Sequence, residues 1–199
     1  MHTGPGRYDW SFADQVLPAL RDAGIVPILD LCHFGVPDWL GDFQNPDLCR
    51  PFAEFARAVA ARYPWIRLFT PINEMYITAE FSAYYGWWNE RLASHQGFVR
   101  AVTNITRAAS YAMRAILEIR PDALFVLAES SEYTHANHPD LVAEAEMFNE
   151  RRFLTLDLIC GQRISAGMFQ YLRDNGMTDD EYRELRANDF VEHLIVGHD

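Results

Sequence analysis

Two segments of this 199-residue chain bring together groups that can move protons and stack on rings. His33 and Trp39 stand in the run His33-Phe34-Gly35-Val36-Pro37-Asp38-Trp39-Leu40, and Asn73 precedes Glu74 in Thr70-Pro71-Ile72-Asn73-Glu74. An imidazole, an indole, an amide and a carboxyl group suit one side of a sugar ring. A carboxylic acid can protonate a departing glycosidic oxygen, an amide can hold a hydroxyl, and an indole can stack on the apolar face of a pyranose. Glu74 could act so near neutral pH if burial or a neighbouring negative charge kept its proton in place. The same dipeptide can simply begin a solvated loop, and a histidine at a strand end can be a hydrogen-bonded rim residue. Position decides between these readings.

Both segments follow short apolar runs, and in parallel βα arrays the loops after the strands converge on one face. Strands are predicted at residues 25–31, 66–72, 123–128 and 190–196, with Glu129 ending the third. The first is expected to be a buried strand, with Pro27 as its weak point. Between the strands lie helical patterns. Ser11 can cap a helix with Phe12, Val16, Leu20 and Ala23 on its apolar face, a kink at Pro18 and a left-handed stop at Gly24. Pro51 opens a second helix, with Phe52, Phe55, Ala56, Val59, Ala60 and Tyr63 at helical spacing, and a long third helix runs from about Phe98 to Ile119 before Pro121. Thr178 and Glu181 form a capping box for a helix reaching Ala187. An aromatic loop at residues 84–88 lines the site or packs on itself. The alternation predicts an α/β fold: parallel strands in sequential order with outer helices, amounting to half of an eight-stranded barrel or a small open sheet.

Composition narrows the partners. Seventeen basic against 28 acidic side chains give a net charge of −11, which repels nucleic acid. No run approaches the roughly 18 apolar residues of a membrane span, and residues 1–7 lack the pattern of a secretory signal. Cys32, Cys49 and Cys160 are odd in number and far apart, which fits reduced thiols in a cytoplasmic protein. His135 and His138 are spaced H-x-x-H in a polar stretch rather than on a clear helix, so neither a metal nor another cofactor is expected.

The residues 33–40 resemble the segment H-W-D-x-P-x-x-L of glycoside hydrolase family 1, and residues 70–74 resemble its T-x-N-E-P. Residues 153–161 are similar to F-x-D-P-x-x-x-G, and Asp189-Phe190 followed by Gly197 to D-F-x-G. This resemblance implies a partial (β/α)8 TIM barrel holding strands three to six, as one incomplete domain over residues 1–199. It implies a retaining β-glycosidase acting on a small glycoside or oligosaccharide. Glu74 corresponds to the catalytic acid/base, Asn73 to the residue holding the hydroxyl beside the anomeric carbon, and His33 to a glycone-binding histidine, with Trp39 walling the cavity. Phe34 stands for Trp, Gly35 for Asp, Pro71 for Thr and Met75 for Pro, departures that bear on affinity more than on fold.

Retaining chemistry needs a second carboxylate about 5 Å from the first, and the family carries it on strand seven. The expectation is therefore a fragment, inactive alone and prone to self-association along open sheet edges. A non-catalytic sugar-binding or scaffold relative, and a barrel glycosidase of another family in the same clan, stand as alternatives. Glu129 is expected to touch the site or to pair with an arginine, and His198 and Asp199 to lie at its rim.

Overall fold

The computed structural model describes residues 2–198, and side chains as far as Ile195. The apolar runs become four strands: β3 (Ile28–Asp30), β4 (Leu68–Thr70), β5 (Leu124–Glu129) and β6 (Leu194–His198), preceded by a small antiparallel hairpin, β1 (His2–Gly4) and β2 (Arg7–Tyr8). The order is β3-β4-β5-β6 and every pairing is parallel, with Asp30 opposite Thr70, Leu68 opposite Leu124 and Glu129 opposite His198. This is the expected sequential sheet of a partial barrel.

The strands are shorter than their apolar runs because neighbouring turns claim the backbone. At the end of α1 (Ser11–Asp22), Gly24 is left-handed at φ 73°; its N–H donates to Arg21 O, and that of Ile25 to Leu20 O at 2.9 Å. Ile25 is thus committed to the helix cap, and Pro27 has no N–H to give. The expected buried strand at residues 25–31 is therefore corrected: among the described residues β3 is a short edge strand paired only with β4, and Val26 and Ile28 are exposed. At the other edge, residues 191–193 form a 3-10 turn, delaying β6 to Leu194.

The first helix is also rotated from its predicted face. Ala13 and Leu17 point inward while Phe12 is exposed. Trp10, not Ser11, occupies the cap position, and Asp9 Oδ1 accepts from Ser11 N–H at 2.9 Å. Pro18 lies inside the helix without ending it.

Behind the sheet, α2 (Cys49–Arg62) buries Phe52, Phe55, Ala56, Val59 and Ala60 against α4 (His95–Leu117). Ser94 caps α4 by accepting from Gly97 N–H at 3.0 Å, so the helix starts at His95, three residues ahead of the predicted Phe98. So completely is α4 enclosed that its hydroxyls turn back onto its own carbonyls, as Thr103 does to Val99 at 2.7 Å. The short α3 (Met75–Ala79) follows β4. Beyond β5 come α5 (Val142–Arg152), α6 (Leu154–Ile159), α7 (Ala166–Asp174) and α8 (Asp179–Arg186), the last starting with the predicted Thr178–Glu181 capping box.

Candidate active site

The loops after β3 and β4 are stitched together beyond the strands themselves. Leu31 N–H donates to Thr70 O and Asn73 N–H to Cys32 O, each at 3.0 Å, so Asn73 runs beside the residue preceding His33. Glu74 then takes a left-handed backbone, φ 39° and ψ 65°, and α3 starts at once. A side chain with Cβ pays about 1–3 kcal/mol for such a conformation, which persists only where its surroundings enforce it. Here the enforcement is visible: Thr78 N–H donates to Glu74 O at 2.8 Å, and Thr78 Oγ1 to Asn73 O at 3.1 Å. Asn73 and Glu74 are half-buried.

Glu129 ends the neighbouring strand and is buried. Both its oxygens accept from Tyr76 N–H, at 2.9 and 3.2 Å, and one accepts from Thr155 Oγ1 at 2.7 Å. Burial pushes its carboxyl up to about 7; the hydrogen bonds from Thr155 and Tyr76 oppose this, and the charge of Glu74 adds to it. The expected arginine pairing is replaced by these hydrogen bonds, since no arginine stands at ion-pair distance from Glu129 among the described residues.

A second buried cluster, which no sequence pattern anticipated, lies beside this one. Tyr76 Oη donates to Glu80 Oε1 at 2.9 Å, Arg151 Nε donates to Tyr76 Oη at 2.9 Å, and Arg151 Nη2 reaches Glu80 Oε1 at 3.3 Å. The Arg151 guanidinium also lies against the rings of Tyr84 and Phe98, at 4.2 and 4.6 Å. Through Tyr76, this cluster fixes α3 from one side while Glu129 fixes it from the other.

His33 is exposed, and its Nδ1 lies 2.7 Å from Asp30 Oδ2. The other Asp30 oxygen accepts from Cys32 N–H at 3.1 Å, so the end of β3 sets the histidine ring. A carboxylate three residues before a histidine was the signal that could have identified Asp30. Phe34, left-handed at φ 65°, stacks obliquely on Trp88 at 5.0 Å, and its carbonyl accepts from Asn89 Nδ2 at 3.0 Å. The aromatic loop is thereby tied to the His33 segment. Trp39 makes its contacts elsewhere: its indole N–H donates to His2 O at 3.3 Å and its ring meets the His2 ring edge-on.

A cavity of about 350 Å³ lies between α1, α2 and β3, walled chiefly by side chains such as Leu17, Phe52, Phe55 and Val59, with Asp30 and His33 as polar members. Asn73 and Glu74 are not among its walls. Among the described residues no group of three His, Cys, Asp or Glu side chains is placed to hold a metal ion, and no helix is long and apolar enough to cross a membrane. His138 Nδ1 accepts from Asp140 N–H at 3.3 Å at the start of a 3-10 turn. The three cysteines are free thiols, and burial pushes Cys32 up to about 12 and Cys49 up to about 11. Val196, Gly197 and His198 are described as backbone only, and Asp199 lies outside the described residues.

Comparison with solved structures finds the same fold in β-glucosidase from Thermotoga maritima. The enzyme in complex with deoxynojirimycin superposes at a TM-score of 0.81 with 18% identity, over 98% of this chain and 46% of that one. The complexes with galacto-hydroximolactam and glucoimidazole give TM-scores of 0.80 and 0.78 at 19% and 18% identity, each over 94% of this chain and 44% of the other. The chain thus spans less than half the length of these structures, and the likeness shows the fold. Comparison with curated proteins finds no match. The family model for glycosyl hydrolase family 1 matches residues 8–192, nearly the whole chain, which sets aside the other families of the clan. This chain belongs to glycosyl hydrolase family 1.

Proposed function

We propose that the chain carries the proton-transfer side of a retaining β-glycosidase site, with Glu74 as the acid/base and Asn73 and His33 holding the sugar. The observation behind this reading is the Asn73–Glu74 turn. It lies at the end of β4, hydrogen-bonded to the loop that bears His33 and backed by the buried carboxyl of Glu129. A protonated Glu74 would give its proton to the glycosidic oxygen as the bond to the anomeric carbon breaks, and its carboxylate would then draw a proton from water attacking the glycosyl-enzyme. Asn73, one residue earlier on the same turn, would hold the hydroxyl beside the anomeric carbon. Phe34 and Trp88 support the aromatic wall more than Trp39 does, because the contacts of Trp39 are to the N-terminal hairpin.

Attack on the anomeric carbon is assigned to a carboxylate outside these residues. Glu129 is only 2% exposed, and its oxygens are already engaged by Tyr76 and Thr155, so it is unsuited to reach a sugar. The substrate class is a β-glycoside, in keeping with the β-glucosidases of similar fold. In a form of the protein that supplies the opposing carboxylate, Glu74→Gln is expected to slow hydrolysis of aryl β-glycosides with poor leaving groups by about 10²–10⁴ and those with good leaving groups far less. Equal losses for both classes would remove Glu74 from this role.

A further inference from the structure

Resting on the reading of Glu74 as the acid/base, we propose that Glu129 is a positioning carboxyl that holds the turn bearing Glu74 and is electrostatically coupled to it. The geometry carries the first half. Tyr76 lies two residues after Glu74, and its N–H donates to both Glu129 oxygens at 2.9 and 3.2 Å. That N–H belongs to the first turn of α3, where helical partners are lacking. Thr155, from α6, holds the same carboxyl at 2.7 Å. Glu129 therefore links β5, α3 and α6, and fixes the point at which the chain leaves its left-handed turn at Glu74.

The second half follows from what surrounds the carboxyl. Among the described side chains, the charged and titratable groups acting on Glu129 are Glu74 from the β4 loop and Arg152 from α5; Tyr76 and Thr155 supply hydrogen bonds. Arg152 is shared with Glu132 at 3.0 Å and Glu80 at 3.7 Å. Burial and the negative charge of Glu74 outweigh the stabilising hydrogen bonds, and Glu129 titrates about 7 rather than in the ordinary carboxylate range. Below that pH, Glu129 is neutral and the pair carries at most one negative charge.

Carbon-13 NMR titration of the chain, labelled at the glutamate carboxyl carbons, tests both halves. Glu129 is expected to show a midpoint about 7. In Glu74→Gln it falls because a charge that adds to the shift is removed, and in Thr155→Val it rises because a bond favouring the charged form is lost. Hydrogen exchange at the Tyr76 amide reads the positioning. Protection persists in Glu129→Gln, which keeps an acceptor oxygen, and is lost in Glu129→Ala. An ordinary carboxylate midpoint for Glu129, or one unmoved by Glu74→Gln, overturns the coupling. Equal Tyr76 protection in the Gln and Ala variants overturns the positioning. None of these readouts requires turnover, so they stand or fall separately from the leaving-group test of Glu74.

Discussion

The two sides of the sheet's C-terminal end are built differently. Around β4 and β5, every strand has neighbours on both sides, and Glu129, Glu80, Tyr76 and Arg151 are buried with their polar atoms partnered. Around β3, one sheet edge is open, His33 is exposed, and a largely apolar cavity separates the flanking helices. The contrast suggests a division of labour. Placement of Glu74 is supplied by dense packing, whereas the exposed His33 is oriented by the Asp30 carboxylate and the Phe34 ring alone and costs little to move. Substitutions on the two sides should therefore differ first in stability.

The largest effect is expected at Arg151. Its removal in Arg151→Ala leaves the buried Glu80 with Tyr76 and the more distant Arg152, and takes the guanidinium from between Tyr84 and Phe98. Breaking one partner of a buried pair costs about 3–5 kcal/mol, readable as a lower urea midpoint. A loss below about 1 kcal/mol would mean that this region is no more tightly bound than the β3 side.

Glu129 gives the next effect, and it depends on pH. Its carboxyl is held up to about 7 in the folded chain, so it binds a proton more tightly folded than unfolded. The stability gained this way is fully present below the ordinary glutamate range of about 4–4.5 and is lost as pH rises through about 7. The span corresponds to roughly 3 kcal/mol. Glu129→Gln should abolish this dependence, so denaturation measured from pH 5 to 9 should show the variant gaining on the parent as pH rises. Parallel curves would mean that Glu129 titrates as an ordinary carboxylate. The smallest effect belongs to His33→Ala, which should change stability by less than about 0.5 kcal/mol in the same denaturation experiment. A larger loss would show that the β3 loop depends on the Asp30 contact more than its exposure implies.

What could be read in the sequence follows the same line. Parallel order, the long helices and the capping box at Thr178 were legible because period and cap chemistry are local. The ends of β3 and β6 were not, since a helix cap at Ile25 and a 3-10 turn at Val191 competed for backbone that an apolar run seemed to offer to the sheet. Glu74 and Asn73 could be located from the end of their strand. The grip of Glu129 on Tyr76, and that of Arg151 on Glu80, join residues 53 and 71 positions apart, and no local pattern announces such a contact. Trp39 shows the opposite case: its neighbour in sequence is the site loop, but its hydrogen bond goes to His2.

We propose Glu74 as the proton donor of this site and assign the attacking carboxylate to residues outside this chain. The most direct measurement is hydrolysis of an activated aryl β-glycoside by the purified 199-residue chain, beside its Glu74→Ala variant. No turnover above buffer is expected for either protein. Turnover by the parent chain that disappears in Glu74→Ala would contradict it, by showing that a carboxylate within these residues acts as the nucleophile.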